Sequence, residues 1–175
     1  MSKIFVDTIE PKTSGGAVQM PTKPAFDIEF FKTTSGAAGV NGVIQFNGIT
    51  TNQGSHWDSS GHKFVVPVTG MYQFNFNGTG TRTTTNGVMT SASPCQVVLQ
   101  KSTDSGANYN MVNSGVYSFF NANSTTYGGY LPLSFSCVLT LNSGDYVQFK
   151  VQSGYLYHNT KASGLWASAS GYLIG

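Results

Sequence analysis

Gly61–Asn77, GHKFVVPVTGMYQFNFN, carries two strand patterns back to back. Phe64, Val65, Val66 and Val68 are the β-branched and aromatic types that fit a pleated, half-buried surface. Pro67 donates no ladder hydrogen bond and confines its own stretch to an edge or a bulge. Gly70 then punctuates the run. Beyond it Tyr72, Phe74 and Phe76 fall on one face and Met71, Gln73, Asn75 and Asn77 on the other, the period of two of a strand with one buried side. Two strands joined by one tight turn are expected, the second bearing a wall of aromatic rings.

Upstream, Val43, Ile44 and Phe46 form a short apolar strand, and ITTNQGSHWDSSG, Ile49 to Gly61, has turn and loop chemistry. From Val43 to Asn77 the order is therefore an apolar strand, an Asn-Gly loop, Trp57-Asp58, Gly61, Phe64, Pro67-Val68, Gly70 and an aromatic alternation. This order closely resembles the globular head of C1q-like proteins. The resemblance implies an all-β jelly-roll sandwich of ten strands, related in shape to tumour necrosis factor, that assembles as a homotrimer.

The pattern continues on both sides. Phe26, Ile28 and Phe30 alternate with Asp27, Glu29 and Phe31 as a first strand, similar to the start of the C1q-like head. Thr33–Gly42 and Arg82–Ser93 are polar loops, the second with Asn86-Gly87 as its hairpin turn. Val97 and Leu99 share a strand face, a turn follows around Asp104–Asn108, and Tyr117, Phe119 and Phe120 mark another strand. The clearest alternation sets Leu131, Leu133, Phe135, Cys137, Leu139 and Leu141 against Pro132, Ser134, Ser136, Val138 and Thr140, one face core and the other mostly solvent. Asn142–Asp145 reads as a hairpin turn before Val147, Phe149 and Val151. LTLNSGDYVQFKV, Leu139 to Val151, is similar to the LxLxxGDxVxL element of C1q-like heads, and SASGYLIG, Ser168 to Gly175, resembles their closing SxFxGFLL strand. Ala169 stands where that family carries an aromatic residue, with Trp166 as the side chain to fill the space. The head thus spans 24–175.

At 175 residues the chain suits one domain plus a tail, and a domain of that size buries about 70% of its unfolded surface. It needs no disulfide framework. Cys95 and Cys137, the only cysteines, sit in strand-like runs and read as buried free thiols or as a bridge. Only 9% of residues are charged and the net charge is +2, with basic residues scattered, so a nucleic-acid-binding face is excluded. No apolar run approaches the roughly 20 residues of a membrane span, and no basic start precedes an apolar core as in a signal peptide. A protein made in a cytoplasm, without membrane insertion, is expected.

Residues 1–23 differ from the rest: Gly, Pro, Thr and Lys interrupt Ile4-Phe5-Val6, Ile9 and Val18-Gln19-Met20, too little apolar material for a core. Read plainly, this is a disordered leader. Against that, SKIFVDTIEPKTSGGAVQMP, Ser2 to Pro21, resembles the N-terminal segment of structural proteins of tailed bacteriophages, particularly those of marine cyanobacteria. The resemblance implies an extended arm that docks the head to other virion proteins, with Ile4, Phe5, Val6, Ile9, Pro11 and Val18 as its contacts.

Nothing points to catalysis, a metal or a cofactor. His56, His62 and His158 lack zinc-site spacing and read as surface histidines, the acidic residues stand singly, and no GxSxG elbow occurs. Some C1q-like heads bind calcium through acidic loops; the loops here are poor in acid, so calcium is not carried over. Trp57, Phe64, Tyr72, Phe74, Phe76, Phe149 and Tyr172 are expected in the core or at the trimer axis. Arg82, Tyr109, Tyr127, Tyr155 and Tyr157 are the candidate ligand-contact loop residues, since a tyrosine pairs an apolar ring with a polar tip. The expected function is a non-enzymatic virion protein, either a tail fibre or knob touching host surface glycans or a decoration of capsid or neck. The other reading is a free soluble module that recognises carbohydrate or protein; the want of a secretion signal counts against it.

Overall fold

The computed structural model describes residues 23–31, 36–38, 42–81, 95–112, 116–118, 131–159 and 167–174. The arm contacts Ile4 to Val18, and Arg82, Tyr127 and Trp166, lie outside them, as does the Asn86-Gly87 turn. The strands are β1 (Ala25–Phe30), β2 (Gly36–Ala38), β3 (Gly48–Gln53), β4 (Trp57–Asp58), β5 (Lys63–Val65), β6 (Gly70–Thr81) and β7 (Cys95–Ser102). After these come β8 (Asn110–Met111), β9 (Val116–Ser118), β10 (Leu131–Leu141), β11 (Tyr146–Ser153), β12 (Tyr155–His158) and β13 (Ala167–Leu173). They form an all-β sandwich of a seven-stranded and a six-stranded antiparallel sheet.

β6 organises the seven-stranded sheet. On one side β10 pairs along nearly its whole length, from Leu131↔Gly80 to Leu141↔Gly70. On the other, β13 pairs from Ala167↔Gly78 to Leu173↔Tyr72, and β1 and β3 continue the sheet beyond β13. β12 meets β6 at Gly80 and Thr81 and carries β2. In the second sheet β11 lies between β5 and β7, with β4 beyond β5 and both β8 and β9 on β7.

The apolar half of each alternation turns between the sheets. Phe26, Ile28 and Phe30 of β1, Tyr72, Phe74 and Phe76 of β6, and Val97 and Leu99 of β7 are all buried. Two aromatic groups form there. Phe26 lies 5.1 Å from Trp57 and 5.0 Å from Phe64 between ring centroids, with Phe74 behind at 6.2 Å. Phe149 gathers Phe46, Phe76 and Phe135 at 5.7, 6.0 and 6.2 Å, and Phe46 against Trp57 joins the two groups. Tilted and edge-on contacts at such distances contribute about 0.5–1.5 kcal/mol each beyond the area they bury. Ala169 is buried where a ring was expected from the resemblance. Both cysteines are free thiols, Cys95 buried and Cys137 half-buried.

The tight turn expected before Gly70 and the Asn142–Asp145 hairpin turn are instead crossings between the sheets. β5 belongs to the six-stranded sheet and β6 to the seven-stranded one; β10 and β11 are likewise divided. The two crossings bind each other. Val66 N donates to Asp145 O (2.9 Å), Gly144 N to Val66 O (2.8 Å), Ser143 Oγ to Pro67 O (2.9 Å) and Ser143 N to Thr69 Oγ1 (3.1 Å). Gly144 takes a φ of 91°, in the left-handed region that a side chain disfavours. Asp145, 5% exposed, accepts from Asn142 N and pairs with Lys101 Nζ at 2.8 Å. Pro67 sits in a crossing because it has no N–H to give to a ladder.

Two further expectations change. The stretch from Ile49 to Gly61 is not all loop: β3 pairs with β1 and β4 with β5. Among the described residues β3 is an edge strand, and its Ile49, Thr50 and Thr51 side chains are exposed, so polar types are tolerated there. Val43, Ile44 and Phe46 form no continuous strand. Val43 makes an isolated bridge to Lys150, Ile44 N donates to Phe149 O, and Asn47 N then reaches Glu29 O, so this segment too passes from one sheet to the other.

Candidate functional site

The seven-stranded sheet turns its second face away from the core. Period two places Met71, Gln73, Asn75 and Asn77 of β6 there, beside Ser134, Ser136, Val138 and Thr140 of β10 and Ser168, Ser170 and Tyr172 of β13. The register aligns them in rows. Val138, Gln73, Tyr172 and Ala25 form one row, and Ser136, Asn75, Ser170 and Asp27 the next.

Amides and hydroxyls link the rows. Gln73 Nε2 donates to Ser136 Oγ (3.1 Å) and Asn75 Oδ1 (3.2 Å), Asn75 Nδ2 to Ser170 Oγ (3.2 Å), and the Tyr172 hydroxyl to Gln73 Oε1 (2.9 Å). Three strands are thus tied by side chains that hold one another in fixed rotamers, so the face presents a preset array rather than free ends. At the far side of the face Asp27 has its carboxyl raised above the ordinary range, by burial first and by the charge of Glu29 second.

One end of the face is apolar. Met71 (47% exposed), Val138 (53%), Tyr172 (40%) and Ile174 (39%) are large side chains that would find better surroundings out of water. Ile174 N donates to Met71 O at 2.7 Å, which brings the C-terminal residues onto this end.

The predicted site residues fall in different places. Trp57, Phe64, Tyr72, Phe74, Phe76 and Phe149 are in the core, and Tyr172 alone of that group lies on the open face. Tyr72 Oη donates to Val68 O at 2.7 Å, and burial pushes its phenol up. Tyr155 and Tyr157, expected on loops, lie on β12, where backbone pairing with β6 and β2 fixes them; Tyr157 is 6% exposed. Tyr109 is half-buried before β8, and its phenol is likewise raised by burial. Of the histidines read as surface residues, His158 is buried and edge-on to Phe30.

At a rim of the six-stranded sheet Lys63 pairs with Asp58 (3.3 Å) and stands 4.8 Å from the Tyr146 ring centre. Asp58 accepts from the Ser60 hydroxyl and from Gly61 N, which hold its carboxyl well below the usual range. Asp104, held down to about 2 by the Ser102 hydroxyl and then by Asn108, closes the neighbouring turn. Each acid is committed to its own loop. Among the described residues no three of His, Cys, Asp and Glu gather to hold a metal ion, and no helix is long and apolar enough to cross a membrane.

The sequence pattern placed Gln73, Asn75 and Ser136 opposite the apolar faces of their strands without a role, and gave Ser170 no face at all. Their signal was composition: an outward strand face made of amides, hydroxyls, a Met and a Val, where Lys and Glu would be the usual solvating choice.

The family profile described as C1q domain matches residues 25–174. Among solved structures, the globular domain of zebrafish complement 1qA protein is similar at 20% identity and a TM-score of 0.60, covering 87% of this chain and 98% of that one. Eiger TNF from S. frugiperda is similar at 10% identity and a TM-score of 0.61, covering 88% and 94%. Murine APRIL at pH 5.0 gives 10% and 0.59, covering 87% and 99%. No curated protein matches the chain.

Proposed function

We propose, from the premise that this chain belongs to the C1q domain family, that it is a non-catalytic head that works as a homotrimer with the open face of the seven-stranded sheet turned toward neighbouring subunits. The observation that carries this is the preset array of Gln73, Asn75, Ser136, Ser170 and Tyr172. Polar groups that already spend part of their hydrogen-bonding capacity within the subunit cost less to cover than free ones, and their fixed positions give a contact its register. Homotrimers are typical of the family, which supports the same reading.

The head sits on the particle of a tailed phage, joined to other virion proteins through Ile4, Phe5, Val6, Ile9, Pro11 and Val18. The support for this is the resemblance carried by Ser2–Pro21. There it serves as a fibre or knob that meets host glycans, or as a decoration of capsid or neck. Light scattering at micromolar concentration tests the assembly: a mass of three chains is expected, and a monomer removes the trimer. Immunogold microscopy of phage particles tests the place. Label at fibre ends supports attachment to a host and label over capsid or neck supports decoration, whereas label confined to the medium makes the protein a free binding module.

A further inference from the structure

Tyr146, the first residue of β11, stands between two turns of the six-stranded sheet. Its strand lies between β5 and β7, and Tyr146 pairs with Val65 on one side and Ser102 on the other. Period two puts Lys63 on the same outer side as Val65 and Tyr146, and Lys63 pairs across to Asp58. From the other side the turn 103–108 comes up against the ring. A Cβ at Gly106, whose φ is 91°, would meet Tyr146 Cδ2 at 3.2 Å and Tyr109 Oη at 3.4 Å, so both tyrosines close on one point. The Tyr109 phenol, raised chiefly by burial, lies also in the field of Lys63, Tyr146, Asp104 and Asp58.

Asp58 and Lys63 form a partly open pair. Asp58 Oδ1 accepts from Ser60 N, the Ser60 hydroxyl and Gly61 N, whereas Oδ2 faces Lys63 Nζ at 3.3 Å and keeps capacity for a further donor. The side chains are 33% and 24% exposed, so an acceptor and a donor stand side by side within reach of solvent. A free cation or anion would have to displace one partner of the pair. A vicinal diol displaces neither: one hydroxyl donates to the carboxylate and its neighbour accepts from the ammonium. The C–H face of a pyranose ring then has a half-buried phenol ring, Tyr109, to pack on.

We propose that the rim formed by Asp58, Lys63, Tyr109 and Tyr146 takes a neutral hexopyranose unit of a glycan, with the Asp58–Lys63 pair on two adjacent hydroxyls and the Tyr109 ring under the C–H face. The inference rests on the reading that the head meets glycans, and it gives that reading a place. The rim belongs to the six-stranded sheet, so the face turned toward neighbouring subunits stays clear of it and each chain of a homotrimer carries its own site. Linked sites convert weak single contacts into firm attachment to a repeating glycan.

Methyl α-glucoside, methyl α-mannoside and methyl β-galactoside, titrated into the full chain at millimolar concentration, test this by amide shifts in NMR spectra. Between them they present equatorial and axial arrangements of adjacent hydroxyls. At least one is expected to bind and to move the amides of residues 58–63, 106–109 and 146, while those of β6 and β10 stay still. Lys63→Met keeps the apolar stem beside Tyr146 and is expected to weaken that sugar about tenfold or more, since a hydrogen bond to a charged group is lost. Tyr109→Leu is expected to weaken it as well. The proposal is overturned if none of the three sugars binds, if the shifts fall elsewhere, or if both variants bind as the unaltered chain does. The map on the unaltered chain decides even where a variant fails to fold. Binding at this rim stands wherever immunogold places the protein, and label at fibre ends with no sugar bound keeps the fibre and removes the site, so the two readings fail separately.

Discussion

The two faces of β6 meet opposite surroundings. Inward, Tyr72, Phe74 and Phe76 are at most 2% exposed and meet rings from β1, β5 and β11. Outward, one residue along each time, Met71 is nearly half exposed, and Gln73 and Asn75 bond to side chains of β10 and β13. A single strand therefore supplies the main core wall and the candidate contact face. Fold and recognition are separated here by the direction of a Cβ rather than by distance along the chain.

This separation breaks first, if it is wrong, at the inner face. Phe74→Ala removes a ring that packs on Phe26, Phe64 and Tyr72, and the expected loss is about 3–5 kcal/mol in urea unfolding. A loss below about 1 kcal/mol would mean that the core relaxes around the gap, contrary to the packing described. Asp145→Ala is expected next, at about 3 kcal/mol. It strands the Lys101 ammonium, which is 20% exposed, and removes the acceptor that caps Asn142 N within the crossing from β10 to β11. Asp145→Asn is expected to restore part of that loss, because the amide oxygen keeps the acceptor while the charge is gone. Gly171→Ala follows at about 1–3 kcal/mol, as an overpacked core. A Cβ there would stand 2.5 Å from Phe26 Cε1 and 2.9 Å from Phe74 Cδ1, atoms of rings held on every side.

The inner face was legible in the sequence because burial imposes a period that the residue types repeat: Phe26, Ile28, Phe30 and Tyr72, Phe74, Phe76 could be assigned with no partner in view. The crossings were not. Gly70, and Asn142 to Asp145, specify that the chain reverses, and the same residues serve a reversal within a sheet or between sheets. What decides is the distant pair Val66 and Asp145, which no local window contains. β3 escaped because an edge strand needs only backbone partners, and Thr50, Thr51 and Asn52 look like loop. The open face was read as solvent for a related reason: an amide that bonds to water and an amide that bonds to the next strand are the same letter.

The outer face gives the smallest effect on stability and the sharpest test of the contrast. Asn75→Ala removes the bonds to Ser170 and Gln73 at a site that keeps some access to water, and about 0.5–1 kcal/mol is the expected cost to a single subunit. Its neighbour Phe74, one residue away, is expected to cost several times more. Association should reverse that order. Without Asn75, Gln73 loses one of the two acceptors of its amide and Ser170 loses a donor, so the array that gives the contact its register is loosened exactly where three strands meet. Dilution followed by light scattering is then expected to show Asn75→Ala falling to monomer at higher concentration than the unaltered chain. An unaltered dissociation midpoint would take the subunit contact off this face and leave the ladder as a brace within one sheet.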